Sequence, residues 1–263
     1  MASNERLIHQ RYKSVAEDGR ESMSRASGLE FHYTKKVISE YIKKDSRVIE
    51  IGCGTGYYGM FLADKCGEYV GVDLTSENIE LFKNKIKDSG LKNISAQVGD
   101  ATNLISIADK SFDVVLCLGP MYHLPPEERE VVIAECKRVC KTGGNVIFAY
   151  INKTGAYLKG VLIAPERYPN KTANAFILEK SIDDMNPNLF FYNMPEEIAA
   201  RAKAHQLTVL KNVGVNFALH DQLINDMSDE QFEAWMELND FFCRYESCTG
   251  LSIHALLICR KDE

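Results

Sequence analysis

Glu50-Ile51-Gly52-Cys53-Gly54-Thr55-Gly56 is the stretch on which the reading of this chain turns. It directly follows a run rich in β-branched residues, 47–51, that reads as a short buried strand. A helical pattern follows it. Glycines at this spacing let the backbone turn tightly and approach a ligand that a Cβ would exclude. The helix start beyond them offers unpaired N–H groups to a carboxylate or phosphate. Such a loop alone is weak evidence, because ordinary turns use glycine freely.

Outward from the loop, short apolar runs alternate with helical patterns. Further strands are expected at 68–72, 94–98, 112–118 and 144–150. Thr75 is placed to cap a helix carrying Ile79, Phe82 and Ile86 on one face and ending near Gly90. Pro125-Pro126-Glu127-Glu128 opens another, with Val132, Cys136 and Val139 as its buried stripe. A helix at 195–205 leads into a strand at 207–213. Ser228 and Gln231 then form a capping box before Phe232, Trp235 and Met236. A last run, 253–259, reads as a strand returning antiparallel at the sheet edge. The expected class is α/β, with a mostly parallel sheet and helices on both faces.

Two further strand ends fall in register with the loop. Asp73-Leu74 closes the second strand, where a carboxylate can accept from two ribose hydroxyls. Gly99-Asp100-Ala101 closes the third, where an acid can accept from an exocyclic amine. The dinucleotide fingerprint Gly-x-Gly-x-x-Gly is not met: Gly56 comes one residue early and Tyr57 stands where the third glycine belongs.

Together these residues resemble a class I S-adenosylmethionine-dependent methyltransferase. Glu50 to Gly56 is similar to that family's acid-x-Gly-x-Gly-x-Gly loop, Asp73 to its ribose-binding acid, and Asp100-Ala101 to the residues beside adenine. Leu118-Gly119-Pro120-Met121-Tyr122-His123-Leu124 resembles a segment of bacterial small-molecule methyltransferases. Arg20, Arg25, Glu30, the 191–197 segment and Ser252-Ile253-His254 also look similar, less specifically. The resemblance implies a Rossmann-like sheet of order 3-2-1-4-5-7-6, strand seven antiparallel. It also implies S-adenosylmethionine as cofactor, leaving S-adenosylhomocysteine. The cofactor contacts it implies are Glu50, Gly52, Cys53, Gly54, Gly56, Asp73, Leu74, Asp100, Ala101, Leu118 and Gly119, with Arg25 and Tyr33 from the N-terminal arm. Ala204-His205-Gln206-Leu207 departs from the family's usual Gly-Phe before strand six, which touches packing and not chemistry.

The chain of 263 residues is read as a single domain: an N-terminal arm or lid (1–45), a cofactor-binding core (46–150), cap insertions (151–193 and 214–250) and the rest of the sheet (194–213 and 251–263). Both insertions leave the carboxyl edge of the sheet, where ligands bind in open α/β folds. A net charge of -6 argues against a nucleic-acid partner. No apolar stretch is long enough for a membrane span and the start lacks an apolar signal core, so a cytoplasmic location is expected. The 8 Cys form no Cys-x-x-Cys pair, so reduced core thiols are expected and no metal. Monomer and homodimer are both open.

Methyl transfer is an in-line displacement that mainly requires the nucleophile to be held about 3 Å from the methyl carbon. A base is needed only when the nucleophile arrives protonated. His123 and Tyr122, just past the fourth strand, are the catalytic candidates, and Tyr12, Arg20, Arg25 and Tyr33 the candidate lid contacts. His32, His220 and His254 are weaker candidates, and His254 reads as a packed histidine of the last strand. His9 and His205 read as surface residues and Trp235 as core. The expected activity is methyl transfer to N, O or S of a small molecule, and the caps, with Tyr157, Glu166, Tyr168, Phe190, Phe191 and Tyr192, would suit an amphipathic one. The alternatives are a non-catalytic cofactor-binding module, a protein or nucleic-acid methyltransferase, and transfer of another group, such as aminopropyl, from the same cofactor. Amino-directed base methyltransferases carry Asn/Asp-Pro-Pro-Tyr/Phe after strand four, where this chain has Leu118-Gly119-Pro120-Met121, and no Pro-Cys nucleophile of the cytosine-C5 type is present.

Overall fold

The apolar runs of the sequence all become strands of one sheet in a computed structural model, which describes residues 7–8, 11–12, 18–167, 170–183, 189–217 and 221–263. The strands are β1 (Arg47–Ile51), β2 (Glu68–Asp73), β3 (Ile94–Val98), β4 (Phe112–Cys117), β5 (Cys140–Asn152), β6 (Tyr192–Asn193), β7 (Leu207–Phe217) and β8 (Ser252–Lys261). Their order is β3-β2-β1-β4-β5-β8-β7, with β6 beside β5. Only β8 runs antiparallel, to β5 and to β7. This is the expected topology; the two-residue β6 merely shifts the count of the last two strands. β1 is an interior strand, with Ile49 opposite Val70 on one side and Val115 on the other. Val48, Ile49 and Ile51 are buried, as a parallel strand covered on both faces requires.

Helices cover the two faces. On one face lie α1 (Arg25–Ser39), α2 (Tyr57–Leu62) and α3 (Ser76–Ser89), packed through Leu29, Leu62, Ile79 and Phe82. On the other lie α4 (Pro126–Val139) and, after α5 (Lys153–Ile163) and the short α6 (Lys171–Asn174), α7 (Pro195–Ala204). Val132, Cys136, Val139, Ile198 and Ala202 fill that layer. Helix α8 (Asp221–Asn225) and helix α9 (Asp229–Phe242) complete the chain before β8.

The local signals behave largely as the residue types dictate. α3 stops at Gly90 in the left-handed conformation, and Ser228 with Gln231 forms the capping box of α9. Thr75 stands at the start of α3, but its side chain makes no capping bond. Asp73 instead fixes the approach to the helix, its Oδ1 accepting from the Thr75 N–H at 2.9 Å and from Asn78 Nδ2 at 3.3 Å. Cys140 lies beyond α4, as the first residue of β5.

Among the described residues of the two long insertions, only those of the first wall the cavity described below. Helices α8 and α9 of the second instead lie along α1, and Phe232, Trp235 and Met236 join the core. Among the described residues no helix is long and apolar enough to cross a membrane. All 8 Cys are free.

Candidate active site

The ends of β1, β2, β3 and β4 open into one cavity of about 610 Å³. Its first half is built by the glycine loop. Gly52, Gly54 and Gly56 all have positive φ, at 80°, 52° and 85°. A Cβ on Gly56 would lie 2.0 Å from Phe82, so this glycine seats the loop on α3. A Cβ on Gly54 would meet nothing within 4 Å, because this glycine borders the open cavity. The loop is tied to the next strand end: Gly54 N–H donates to Asp73 Oδ2 at 2.8 Å. Asp100 is held likewise, accepting from Thr102 N–H at 2.8 Å.

Glu50, Gly52, Cys53, Gly54, Asp73, Leu74, Asp100, Ala101, Leu118 and Gly119 all line this half. Thr55, Thr75, Asn78 and Gly99 line it too, although none of them was expected as a cofactor contact. They flank the glycines and acids that were singled out, and that adjacency was the available signal. Three expected contacts fall elsewhere. Gly56 packs on Phe82 and does not reach the cavity. Tyr33 is fully buried, and its hydroxyl donates to the Met236 carbonyl at 2.9 Å. Arg25 pairs with Asp229, donates to the Met227 carbonyl at 2.7 Å and lies over the Phe232 ring. Both hold α9 against α1; the α1 residues that do line the cavity are Glu30 and Phe31.

Glu50 is almost fully enclosed, with the Tyr69 hydroxyl donating to its Oε2. Burial drives its carboxyl up to about 8, opposed by the Tyr69 bond and reinforced by Asp73. A neutral acid therefore faces the cavity at neutral pH.

The second half is aromatic. Tyr122 and His123 follow Pro120 in a 3-10 turn after β4 and both line the cavity. Phe190 and Tyr192 join them from the first insertion, with the Tyr192 hydroxyl on Asp183. The His123 ring packs edge-on to Tyr122, centroids 4.6 Å apart, and at a tilt to Phe190 at 5.2 Å. Its Nδ1 lies 2.8 Å from the Leu189 carbonyl oxygen. A carbonyl only accepts, so Nδ1 carries the proton. Nε2 is then the acceptor, and the Tyr12 hydroxyl donates to it at 2.5 Å. Burial pushes the imidazole down to about 4; Arg11 lowers it further and the Leu189 bond works the other way. His123 is thus neutral across the physiological range.

The N-terminal arm reaches the cavity through Tyr12 and Arg20. Asp18 anchors it, accepting from the Thr55 hydroxyl of the glycine loop at 3.0 Å and pairing with Lys85. His254, on β8, lines the cavity, its Nδ1 3.1 Å from Asn216 Oδ1 and 3.5 Å from Glu30. It is the packed, hydrogen-bonded histidine expected, and it also faces the cavity. His32 packs against Tyr33, and His205 pairs with Glu130 at 2.7 Å on the surface. His9, Tyr168 and His220 lie outside the described residues. Among the described residues no cluster of His, Cys, Asp and Glu is grouped to hold a metal ion.

A family model described as a methyltransferase domain matches residues 48–144, which run from β1 into β5 and contain the whole cofactor half. The ubiquinone biosynthesis O-methyltransferase of Paracidovorax citrulli is 24% identical over 221 residues, covering 82% of this chain and 77% of that protein. Methyltransferase GfsG of Streptomyces halstedii is 33% identical over 107 residues, 40% of this chain and only 37% of that protein. Among solved structures, a SAM dependent methyltransferase from Archaeoglobus fulgidus superposes with a TM-score of 0.60 at 18% identity, covering 93% of this chain and 97% of that one. At that identity the superposition speaks for the fold. Residues 48–144 match a methyltransferase domain, and the sheet order and the methyltransferase-named relatives support an S-adenosylmethionine-dependent methyltransferase. The site fits the cofactor: a carboxylate at each of two strand ends, a glycine at the open wall, and apolar Leu74 and Leu118 in the same lining.

Proposed function

We propose that the protein transfers a methyl group from S-adenosylmethionine to a small-molecule acceptor held in the aromatic half of the cavity. The observation that carries this reading is the continuity of the two halves. One cavity of about 610 Å³ runs from Asp73 and Asp100 to Phe190 and Tyr192. Its far wall is the first insertion, through Ile151, Ala156, Gly160 and Ile163. A cavity of this size suits a small ligand beside the cofactor, whereas a polymer needs an extended groove. The negative net charge supports the same reading against nucleic acid.

The cofactor supplies a methyl group on a positively charged sulfur, and the chain's task is to place the acceptor in line with it. In this reading Glu50, Asp73 and Asp100 orient the cofactor. Tyr122 and Phe190 line the acceptor's half of the cavity, and His123 lies within reach of the acceptor's proton by way of the Tyr12 hydroxyl. Closure by the arm through Asp18 and Tyr12 excludes water from the reacting atoms.

Incubating the protein with methyl-labelled S-adenosylmethionine and a cell extract, then separating label by size, tests this. Label is expected in the low-molecular-weight fraction. Label confined to protein or nucleic acid would overturn the small-molecule reading, and cofactor turnover yielding methylthioadenosine would replace methyl transfer with transfer of the 3-amino-3-carboxypropyl group.

A further inference from the structure

Both nitrogens of the His123 ring are already in use. Nδ1 is spent on the Leu189 carbonyl at 2.8 Å, and Nε2 accepts the Tyr12 hydroxyl at 2.5 Å. The ring is 5% exposed, edge-on to Tyr122 and tilted against Phe190. An acceptor atom therefore cannot reach Nε2 without evicting Tyr12. Tyr12 itself lines the cavity, and a phenol oxygen that donates one hydrogen bond keeps lone pairs with which to accept another. We propose that Tyr12 is the catalytic residue that meets the acceptor, that His123 is a positioning residue acting through it, and that the acceptor group is a hydroxyl on a planar ring. This rests on the small-molecule reading above.

The step balances. The acceptor oxygen forms the new C–O bond while the C–S bond breaks, its electron pair going to sulfur. The acceptor's proton passes to Tyr12 Oη, and the Tyr12 proton passes to His123 Nε2. The cavity's positive charge thus moves from sulfur to the imidazolium, and its net charge is unchanged. That exchange answers an objection raised by burial, which holds His123 down to about 4. The imidazolium need form only as the neighbouring cation is lost, and it can return its proton to solvent once the products leave.

The acceptor class follows from what needs such a relay. A neutral amine attacks with its own lone pair and can shed its proton afterwards. A thiol reaches its anion near neutral pH unaided, with an ordinary pKa of about 8.5. A hydroxyl must lose its proton as the bond forms, so a built proton path matters most there. The flat walls of Tyr122 and Phe190 match a ring carrying that hydroxyl.

The test uses the full chain with Tyr12→Phe, His123→Asn and the double variant. Methyl transfer is measured to a panel of substituted phenols, to the anilines and thiophenols of the same shapes, and to whatever acceptor a cell extract provides. The ¹⁵N resonances of the His123 ring are followed with S-adenosylhomocysteine bound. Expected are label on phenols, a fall in kcat of about 100-fold for either variant at little changed KM, and a double variant no worse than the singles. The Nε2 resonance should move in Tyr12→Phe. Tyr12→Phe with full kcat, or an Nε2 resonance that does not move, overturns the relay while methyl transfer stands. Label on anilines or thiophenols and never on a hydroxyl overturns the acceptor class. No small molecule labelled at all is instead the failure of the small-molecule reading, and the relay falls with it.

Discussion

Glu50 shows how much chemistry a single position in the glycine loop can carry. It sits mid-strand in β1, enclosed, with the Tyr69 hydroxyl as its hydrogen-bond donor. Burial raises its carboxyl to about 8, so the empty site holds a proton there at pH 7. The unfolded carboxyl titrates near its ordinary value of about 4.3. The folded chain therefore binds the extra proton between those two values. Stability from Glu50 is fully present below the unfolded value and is lost as pH rises through about 8. A cationic cofactor beside it favours the carboxylate and so expels the proton. Affinity for S-adenosylmethionine should accordingly rise from pH 6 to pH 8, by roughly 10-fold per proton per pH unit at most. Calorimetry in buffers of different ionisation enthalpy should register proton release near pH 7. Glu50→Gln should remove the Glu50 part of that release, leaving only what the ligand's own amine contributes. An unchanged proton count in Glu50→Gln would show that Glu50 keeps one protonation state through cofactor binding.

At the level of elements, the sheet was legible and the arm was not, for a physical reason. Strands such as β1 and β4 are covered on both faces, and the apolar runs 47–51 and 112–117 declare that on their own. The acids at strand ends, Asp73 and Asp100, come into register because parallel strands share one carboxyl edge. Helix α1 has two faces that each meet protein, and composition does not say which meets what. Arg25, Leu29, Tyr33 and Lys36 fall at helical spacing on one stripe. Arg25, Tyr33 and Lys36 engage Asp229, Met236 and Asp240 of α9. An arginine and a tyrosine expected at the cofactor thus became the seam to a distant insertion. Only that insertion's partner helix, more than 200 positions away, could have revealed it. Gly56 illustrates the same limit inside the loop itself. It shares its motif with Gly54, yet one faces the cavity and the other the Phe82 ring. Gly56→Ala should therefore act on the fold. A left-handed alanine costs about 1–2 kcal/mol, and overlap with Phe82 adds to that. Denaturant unfolding should show a loss of at least about 2 kcal/mol. Gly54→Ala, with no protein atom to strike, should lose less stability and proportionally more cofactor affinity. Equal losses of stability in the two variants would break the distinction.

For the whole molecule, the parts that carry the chemistry are held together mainly across the cavity. The arm reaches the glycine loop through Asp18 and Thr55 and reaches the β4 turn through Tyr12 and His123. The first insertion reaches the same turn by the Leu189 carbonyl on His123 and the Phe191 N–H on the Tyr122 carbonyl, the latter at 2.9 Å. A ligand seated between them adds contacts to every one of these segments at once, while α9 on its own seam with α1 gains nothing directly. S-adenosylhomocysteine at about 100 times its Kd should add about 2.7 kcal/mol of stability. For a chain of this size that is a rise in Tm of roughly 5–10 °C. The gain in amide-exchange protection should concentrate in 18–31, 50–56, 99–101 and 118–124, with 229–242 unchanged. Lys36–Asp240 and Tyr33–Met236 should keep 229–242 as protected in the free protein as in the complex. Protection that instead rose evenly across α9 would mean that the arm and the second insertion close as one body. The seam between α1 and α9 would then belong to the lid and not to the scaffold.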